Sequence, residues 1–134
     1  MKCLDTPVLL EILAGRPSAK KLLEELAGEE LGTTEVNLFE LAACARSLGP
    51  SGLEKRLAAL ERLRRSLSVL PVDERSSRLT AARYRDQSTQ AVSGSSWLIF
   101  GALEAYGCTE WITSRSSRFP TVSTKIRIRR RPNI

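Results

Sequence analysis

The chain has 134 residues, 42% hydrophobic and 27% charged, which is the size and composition of one soluble globular domain with a single well-buried core. No apolar run approaches the ~18 residues of a membrane span, and Asp5 interrupts the N-terminus too early for a secretory signal, so a cytoplasmic protein without membrane contact is expected. The net charge is +6 and there is no histidine, which excludes Ser-His-Asp triads and nearly all zinc hydrolase designs; any hydrolase here must use carboxylates, Lys, Arg, Ser or a bound metal.

Lys2 to Leu4 reads as a short buried strand ending at Asp5. Thr6 and Pro7 suit a helix start, the hydroxyl as N-cap and the proline at the first helical position, with Gly15 as a left-handed stop. Arg16-Pro17-Ser18 reads as a turn, followed by a helix whose apolar stripe is Leu22, Leu23 and Leu26. A short strand over Glu30 to Thr33 leads to Thr34, which caps a third helix carrying Leu38, Leu41, Ala42, Ala45 and Leu48 at spacings of three and four. Gly49-Pro50-Ser51-Gly52 is a break. Leu53, Leu57, Leu60, Leu63 and Leu67 then mark a long amphipathic helix whose opposite face, Arg56 included, is expected to be solvated. Ser68 to Val72 reads as a strand, and Asp73 as the N-cap of a helix carrying Leu79, Ala82 and Tyr84. Gln87 to Ser95 is loop-like, and a further helix runs from Trp97 to Tyr106, closed by Gly107. Cys108 to Thr113 reads as a buried strand, Ser114 to Ser117 as a polar turn, and Lys125 to Ile128 as an alternating edge strand before a fraying end.

Strands alternating with one or two helices imply an α/β fold, a parallel sheet covered by helices on both faces. Functional groups in such sheets collect at the carboxyl ends of the strands, where Asp5 and the turn after Thr113 fall. The cysteines Cys3, Cys44 and Cys108 are odd in number and show no CxxC spacing, so three small buried residues are expected rather than disulfides or a zinc site. The last acid is Glu110, and seven of the 21 cations follow it, among them Arg115, Arg118, Lys125 and Arg127, leaving the rest of the chain at −1. A basic segment of this kind suits a polyanion such as RNA; a solvated terminus is the equal alternative.

Four segments carry a family resemblance. Cys3 to Leu10, an apolar strand followed by Asp-Thr and a helix, resembles the opening of PIN domains. Thr34 to Leu41 resembles their second motif, in which a helix presents a Glu, here Glu40, toward that Asp. Leu98 to Cys108 resembles the later helix that runs to a glycine and the fourth strand, and Ile112-Thr113 with its polar turn and Phe119 resembles the last motif. The order and spacing cover essentially the whole chain and resemble the VapC toxin type in particular.

The resemblance implies a three-layer fold with a central parallel sheet of four to five strands. It divides the chain into a domain over residues 1–124 and a basic edge strand and tail over 125–134. It also implies an endoribonuclease in which Asp5 and Glu40 are catalytic and hold Mg²⁺ or Mn²⁺, paired with a cognate antitoxin and acting as a homodimer. A hard cation held by carboxylates is the standard route to phosphodiester hydrolysis without histidine. The third and fourth acids of the family pattern are missing, because their positions hold Ser96 and Ser114 or Arg115. Asp86, Glu104 and Glu110 do not fit those positions. Ser96 either offers a hydroxyl or caps its helix. Arg115 either pairs with one of the two acids in place of the ion, or faces solvent or phosphate, and Arg115, Arg118, Lys125 and Arg127 are candidate RNA contacts. The alternative function is an impaired PIN domain that binds RNA or antitoxin without turnover; a third is a purely structural role in a dimer.

Overall fold

The computed structural model describes residues 1–86, 94–114 and 123–127. In chain order the elements are β1 (Lys2–Leu4), α1 (Thr6–Leu13), α2 (Pro17–Glu25), β2 (Leu31–Thr34), α3 (Glu35–Ser47) and α4 (Leu53–Arg65). There follow β3 (Ser68–Leu70), α5 (Glu74–Asp86), α6 (Gly94–Ala105), β4 (Glu110–Ser114) and β5 (Ser123–Arg127). The strands form one sheet in the order β3-β2-β1-β4-β5. The first four are parallel, and β5 closes one edge antiparallel to β4. This is the expected α/β architecture, with the N-terminal strand at its centre.

Side chains alternate across a strand, so each inner strand feeds two cores. Leu4 and Ile112 point into one, with Leu9, Leu22, Leu41 and Leu60 from the four N-terminal helices. Cys3 and Trp111 point into the other, with Ile99, Ala102 and Leu103 of α6. Helices therefore cover both faces. Burial of each such leucine contributes about 1.5–3 kcal/mol, and Leu4, Leu9, Leu41 and Leu103 are among the largest fully buried side chains.

Local signals hold in most places and shift in others. Asp5, not Thr6, is the N-cap of α1: its carboxylate accepts from the Thr6 amide at 2.9 Å. Thr6 is the first residue inside the helix, and Pro7 follows where a missing N–H is harmless. Pro17 opens α2 instead of lying in a turn, and Leu23 is exposed while Ala19, Leu22 and Leu26 turn inward. Thr34 caps α3 as expected, accepting from the Asn37 amide at 3.2 Å. Leu48 lies just past the end of α3 and is 66% exposed, so the expected stripe stops at Ala45. Among the leucines of α4 only Leu60 is fully buried. Arg56 is not merely solvated: it donates to the carbonyls of Ala45 at 2.9 Å, Ser51 at 2.7 Å and Gly49 at 2.5 Å, clamping the α3–α4 turn. Cys3 and Cys108 are buried, but Cys44 is only half-buried.

On the opposite face, Asp73 caps α5 in a reciprocal pair: the Ser76 amide donates to Asp73 Oδ1 at 2.9 Å and the Asp73 amide to Ser76 Oγ at 2.9 Å. The Tyr106 hydroxyl donates to the other Asp73 oxygen, tying the end of α6 to the start of α5. These bonds hold the Asp73 carboxyl below its ordinary value, the Ser76 amide being the main cause and Tyr106 the next. α6 begins at Gly94, earlier than Trp97, because its first turn is built of small polar residues that carry no apolar period. α5 and α6 approach closely at Gly101, where a methyl group would collide with the Ser76 carbonyl and the Thr80 hydroxyl. The carbonyl belongs to the backbone and cannot rotate aside. Gly101→Ala is therefore expected to separate the two helices and lower stability by about 1–3 kcal/mol, measured as a fall in the urea unfolding midpoint; an unchanged midpoint would contradict this packing.

Candidate active site

β1 ends at Leu4, which sets Asp5 at the carboxyl edge of the sheet. β4 runs parallel to β1 in a register that opposes Leu4 to Ile112, so Thr113 arrives level with Asp5. The Asp5 amide donates to the Ile112 carbonyl at 3.0 Å, and the Thr113 hydroxyl donates to Asp5 Oδ2 at 2.8 Å. With the Thr6 amide on Oδ1, both oxygens of Asp5 are held, and the carboxylate cannot swing away.

Glu40 arrives from the other side. β2, the other neighbour of β1, ends at Thr34 and passes directly into α3. Asn37 and Glu40 are one helical turn apart on the same side of α3 and face the start of α1. The Thr6 hydroxyl lies 2.5 Å from Glu40 Oε2 and 3.1 Å from Asn37 Oδ1. The two acids are thus linked through one residue, Asp5 by the Thr6 amide and Glu40 by the Thr6 hydroxyl.

Asn37 is 1% exposed and anchors this arrangement. Its Nδ2 donates to the Leu4 carbonyl at 3.2 Å and to Thr33 Oγ1 at 3.1 Å. Thr33 Oγ1 in turn donates to the same Leu4 carbonyl at 3.0 Å. A carbonyl can only accept, so the amide nitrogen of Asn37 must face Leu4 and its oxygen must face Thr6.

Burial raises the Asp5 carboxyl above its ordinary value, and the charge on Glu40 adds to the rise. The hydrogen bonds from Thr113 and Thr6 act in the opposite direction and do not overcome burial. A negative charge at Asp5 is therefore disfavoured in the fold, and a cation would relieve it. Among the described residues no group of three or more His, Cys, Asp or Glu side chains could hold a metal ion. Two carboxylates flanked by hydroxyls nonetheless fit a single hard divalent ion, which takes one or two carboxylates and keeps several waters. They do not fit a pair of ions.

The other expected positions separate. The backbone places Ser96 as the third residue of α6, inside the first turn, so it is not the N-cap. Arg115 and Arg118 lie outside the described residues. Lys125 and Arg127 lie on the edge strand β5, opposite Ile112 and Glu110. Glu110 stands at the amino end of β4, ion-paired with Lys2 at 3.5 Å and remote from the acids in register. The bonding roles of Thr6, Asn37, Thr33 and Thr113 were not expected. Asn37 carried a faint signal: it is a polar residue on the inward side of α3, one turn before Glu40 and beside the core residue Leu41.

A three-layer α/β domain with two linked carboxylates at the carboxyl edge of its parallel strands is the class of protein defined here. Residues 2–97 match the PIN domain family, and the chain belongs to it. It is similar to ribonuclease VapC19 of Mycobacterium tuberculosis, with 43% identity over 63 residues, covering 46% of this chain and 45% of the relative. That match spans a little under half the length of the curated relative. Among solved structures, the fold is similar to VapBC2 from Rickettsia felis bound to a DNA fragment from its promoter, at TM-score 0.72 and 16% identity over 85% of this chain and 86% of that one. It is also similar to Mycobacterium tuberculosis VapC20, a toxin that cleaves the sarcin-ricin loop, at TM-score 0.62 and 16% identity over 83% and 87%. No helix among the described residues is long and apolar enough to cross a membrane.

The raised Asp5 carboxyl has a definite sign. Above the ordinary carboxylate value of 3.8 the unfolded chain carries the charge freely while the fold resists it, so charged Asp5 lowers stability. Asp5→Asn keeps the shape and caps α1 equally well. In EDTA at pH 7 this variant is expected to melt at a higher temperature than the parent, with the difference vanishing below about pH 4 as the parent carboxyl protonates. A lower melting temperature at pH 7 would show that the site is not electrostatically strained.

Proposed function

We propose that this protein is a metal-dependent endoribonuclease toxin of the VapC type, hydrolysing RNA phosphodiesters in the cytoplasm. The observation that carries this reading is the pairing of Asp5 and Glu40 through Thr6 at the carboxyl edge of the sheet. Its membership of the PIN domain family and its similarity to ribonuclease VapC19 support the same chemistry. Asp5 and Glu40 would hold one Mg²⁺ or Mn²⁺. Such an ion, when bound, supplies positive charge to the phosphoryl oxygens and makes a water nucleophilic near neutral pH.

The chain's own contributions are orientation and substrate capture. Thr113 and the Thr6 amide fix the direction of Asp5, leaving one lone pair on each oxygen for a ligand. Thr6 sets Glu40 against it. The cations beyond Glu110, with Arg115, Arg118, Lys125 and Arg127 as the candidate contacts, would neutralise RNA phosphates and make binding salt-dependent. Ser96 and Arg115 occupy the positions of the missing acids, so the proposed site is a reduced, one-ion version of the family's. A structured RNA is the substrate class favoured here, since VapC20 cleaves the sarcin-ricin loop. A cognate antitoxin is the proposed inhibitor, because the structural relatives include VapBC pairs. A homodimer is the proposed assembly.

The test is cleavage of RNA by the purified protein with Mg²⁺ or Mn²⁺, against EDTA, Asp5→Asn and Glu40→Gln. Cleavage that requires the ion and is lost in both variants is the expected outcome. RNA binding without cleavage under any metal condition would replace this reading with a domain that binds RNA and does not turn it over.

A further inference from the structure

The Thr6 hydroxyl faces two acceptors with one proton. Glu40 Oε2 is 2.5 Å away and Asn37 Oδ1 is 3.1 Å away. Asn37 cannot turn its nitrogen toward Thr6, because Nδ2 is already committed to the Leu4 carbonyl and Thr33 Oγ1. Without an ion the shorter, charge-assisted bond to Glu40 takes the proton. The bond to Asn37 is then a second position waiting for the same hydrogen.

We propose that Thr6 is a switchable ligand of the cation site: its hydroxyl turns from Glu40 to Asn37 when a divalent cation binds, and offers its oxygen to the ion. This rests on the reading that Asp5 and Glu40 hold a divalent cation. The hydroxyl keeps its proton throughout, and only the acceptor changes. Turning toward Asn37 frees Glu40 Oε2 and swings a lone pair of Thr6 Oγ1 into the place the proton leaves, so one rotation presents two oxygen donors to the ion. Hard cations of this kind bind neutral oxygens as well as carboxylates. Thr6 already bonds both acids, Asp5 through its amide and Glu40 through its hydroxyl. Asn37 is the resting place of the proton and so a positioning residue for the ion. Its burial at 1% exposure, with Nδ2 bonded to the Leu4 carbonyl and Thr33 Oγ1, keeps that acceptor in place.

The experiment is a titration of the metal-free protein with Mn²⁺, read by calorimetry and by the electron paramagnetic resonance signal of free Mn²⁺, neither of which depends on RNA cleavage. The parent, Thr6→Val, Thr6→Ser, Thr6→Ala and Asp5→Asn are compared, with melting in EDTA confirming that each is folded. Thr6→Val is expected to weaken Mn²⁺ binding by ~10–100-fold, the loss typical of a group that supports or completes a metal site. Thr6→Ala is expected to match it, and Thr6→Ser, which restores the hydroxyl, to bind as the parent does. Binding by Thr6→Val and Thr6→Ala that equals the parent's, while Asp5→Asn has lost it, would overturn the ligand role and leave the cation site standing. Absence of Mn²⁺ binding in the parent would overturn the cation site itself, and this inference with it.

Discussion

The carbonyl of Leu4 sits at the end of the central strand, away from water, and accepts hydrogen bonds from Thr33 and Asn37. Leaving such a group unpaired costs about 1–3 kcal/mol, a sizeable part of the ~5–15 kcal/mol by which a domain of this kind is stable. Satisfying it brings the end of β2 and the first turn of α3 against the end of β1. Asp5 is the residue after Leu4, and Glu40 is one helical turn beyond Asn37. The bonds that satisfy a buried backbone group thus also bring the two acids together, and the site cannot be loosened without exposing a core carbonyl.

The parallel sheet does the rest. Because β1 lies between β2 and β4, its carboxyl end receives groups from both sides, Thr113 from one and the α3 network from the other. The two cores beneath and above the sheet keep these strands level, with Leu4 and Ile112 in one and Cys3 and Trp111 in the other. Burial of a charge at this edge is the main source of the raised Asp5 carboxyl, and the like charge of Glu40 adds a smaller push. The fold supplies the energy to hold this arrangement, and a cation would relieve it.

Much of this was legible in the residues. The alternation of strands and helices implied a parallel sheet covered on both sides, and the apolar periods of Leu22, Leu26, Leu41 and Leu60 marked true core positions. Asp5 and Glu40 stood out through the family resemblance, since their separation along the chain carries no local pattern. What stayed hidden depends on contacts between distant segments. Thr6 looked like a cap because a hydroxyl before proline usually is one, yet the carboxylate beside it captures the amide and frees the hydroxyl for Glu40, 34 residues away. Arg56 looked like a surface charge because its helix is amphipathic, and its reach to three carbonyls depends on how the preceding turn folds back. Leu48 fits the period of α3, but the helix ends before it can pack. The start of α6 was missed because glycine and serine give no apolar rhythm, and that displacement moved Ser96 from the cap into the helix.

On the proposed reading Asp5 and Glu40 hold one divalent cation, and the most direct measurement is anomalous diffraction from a crystal of the protein soaked in Mn²⁺. One anomalous peak is expected, in coordinating distance of both carboxylates and of the Thr6 hydroxyl oxygen. No peak at this position, with the Arg115 guanidinium lying between Asp5 and Glu40, would contradict it: the acids would then be neutralised by the chain itself, and no cation would be needed.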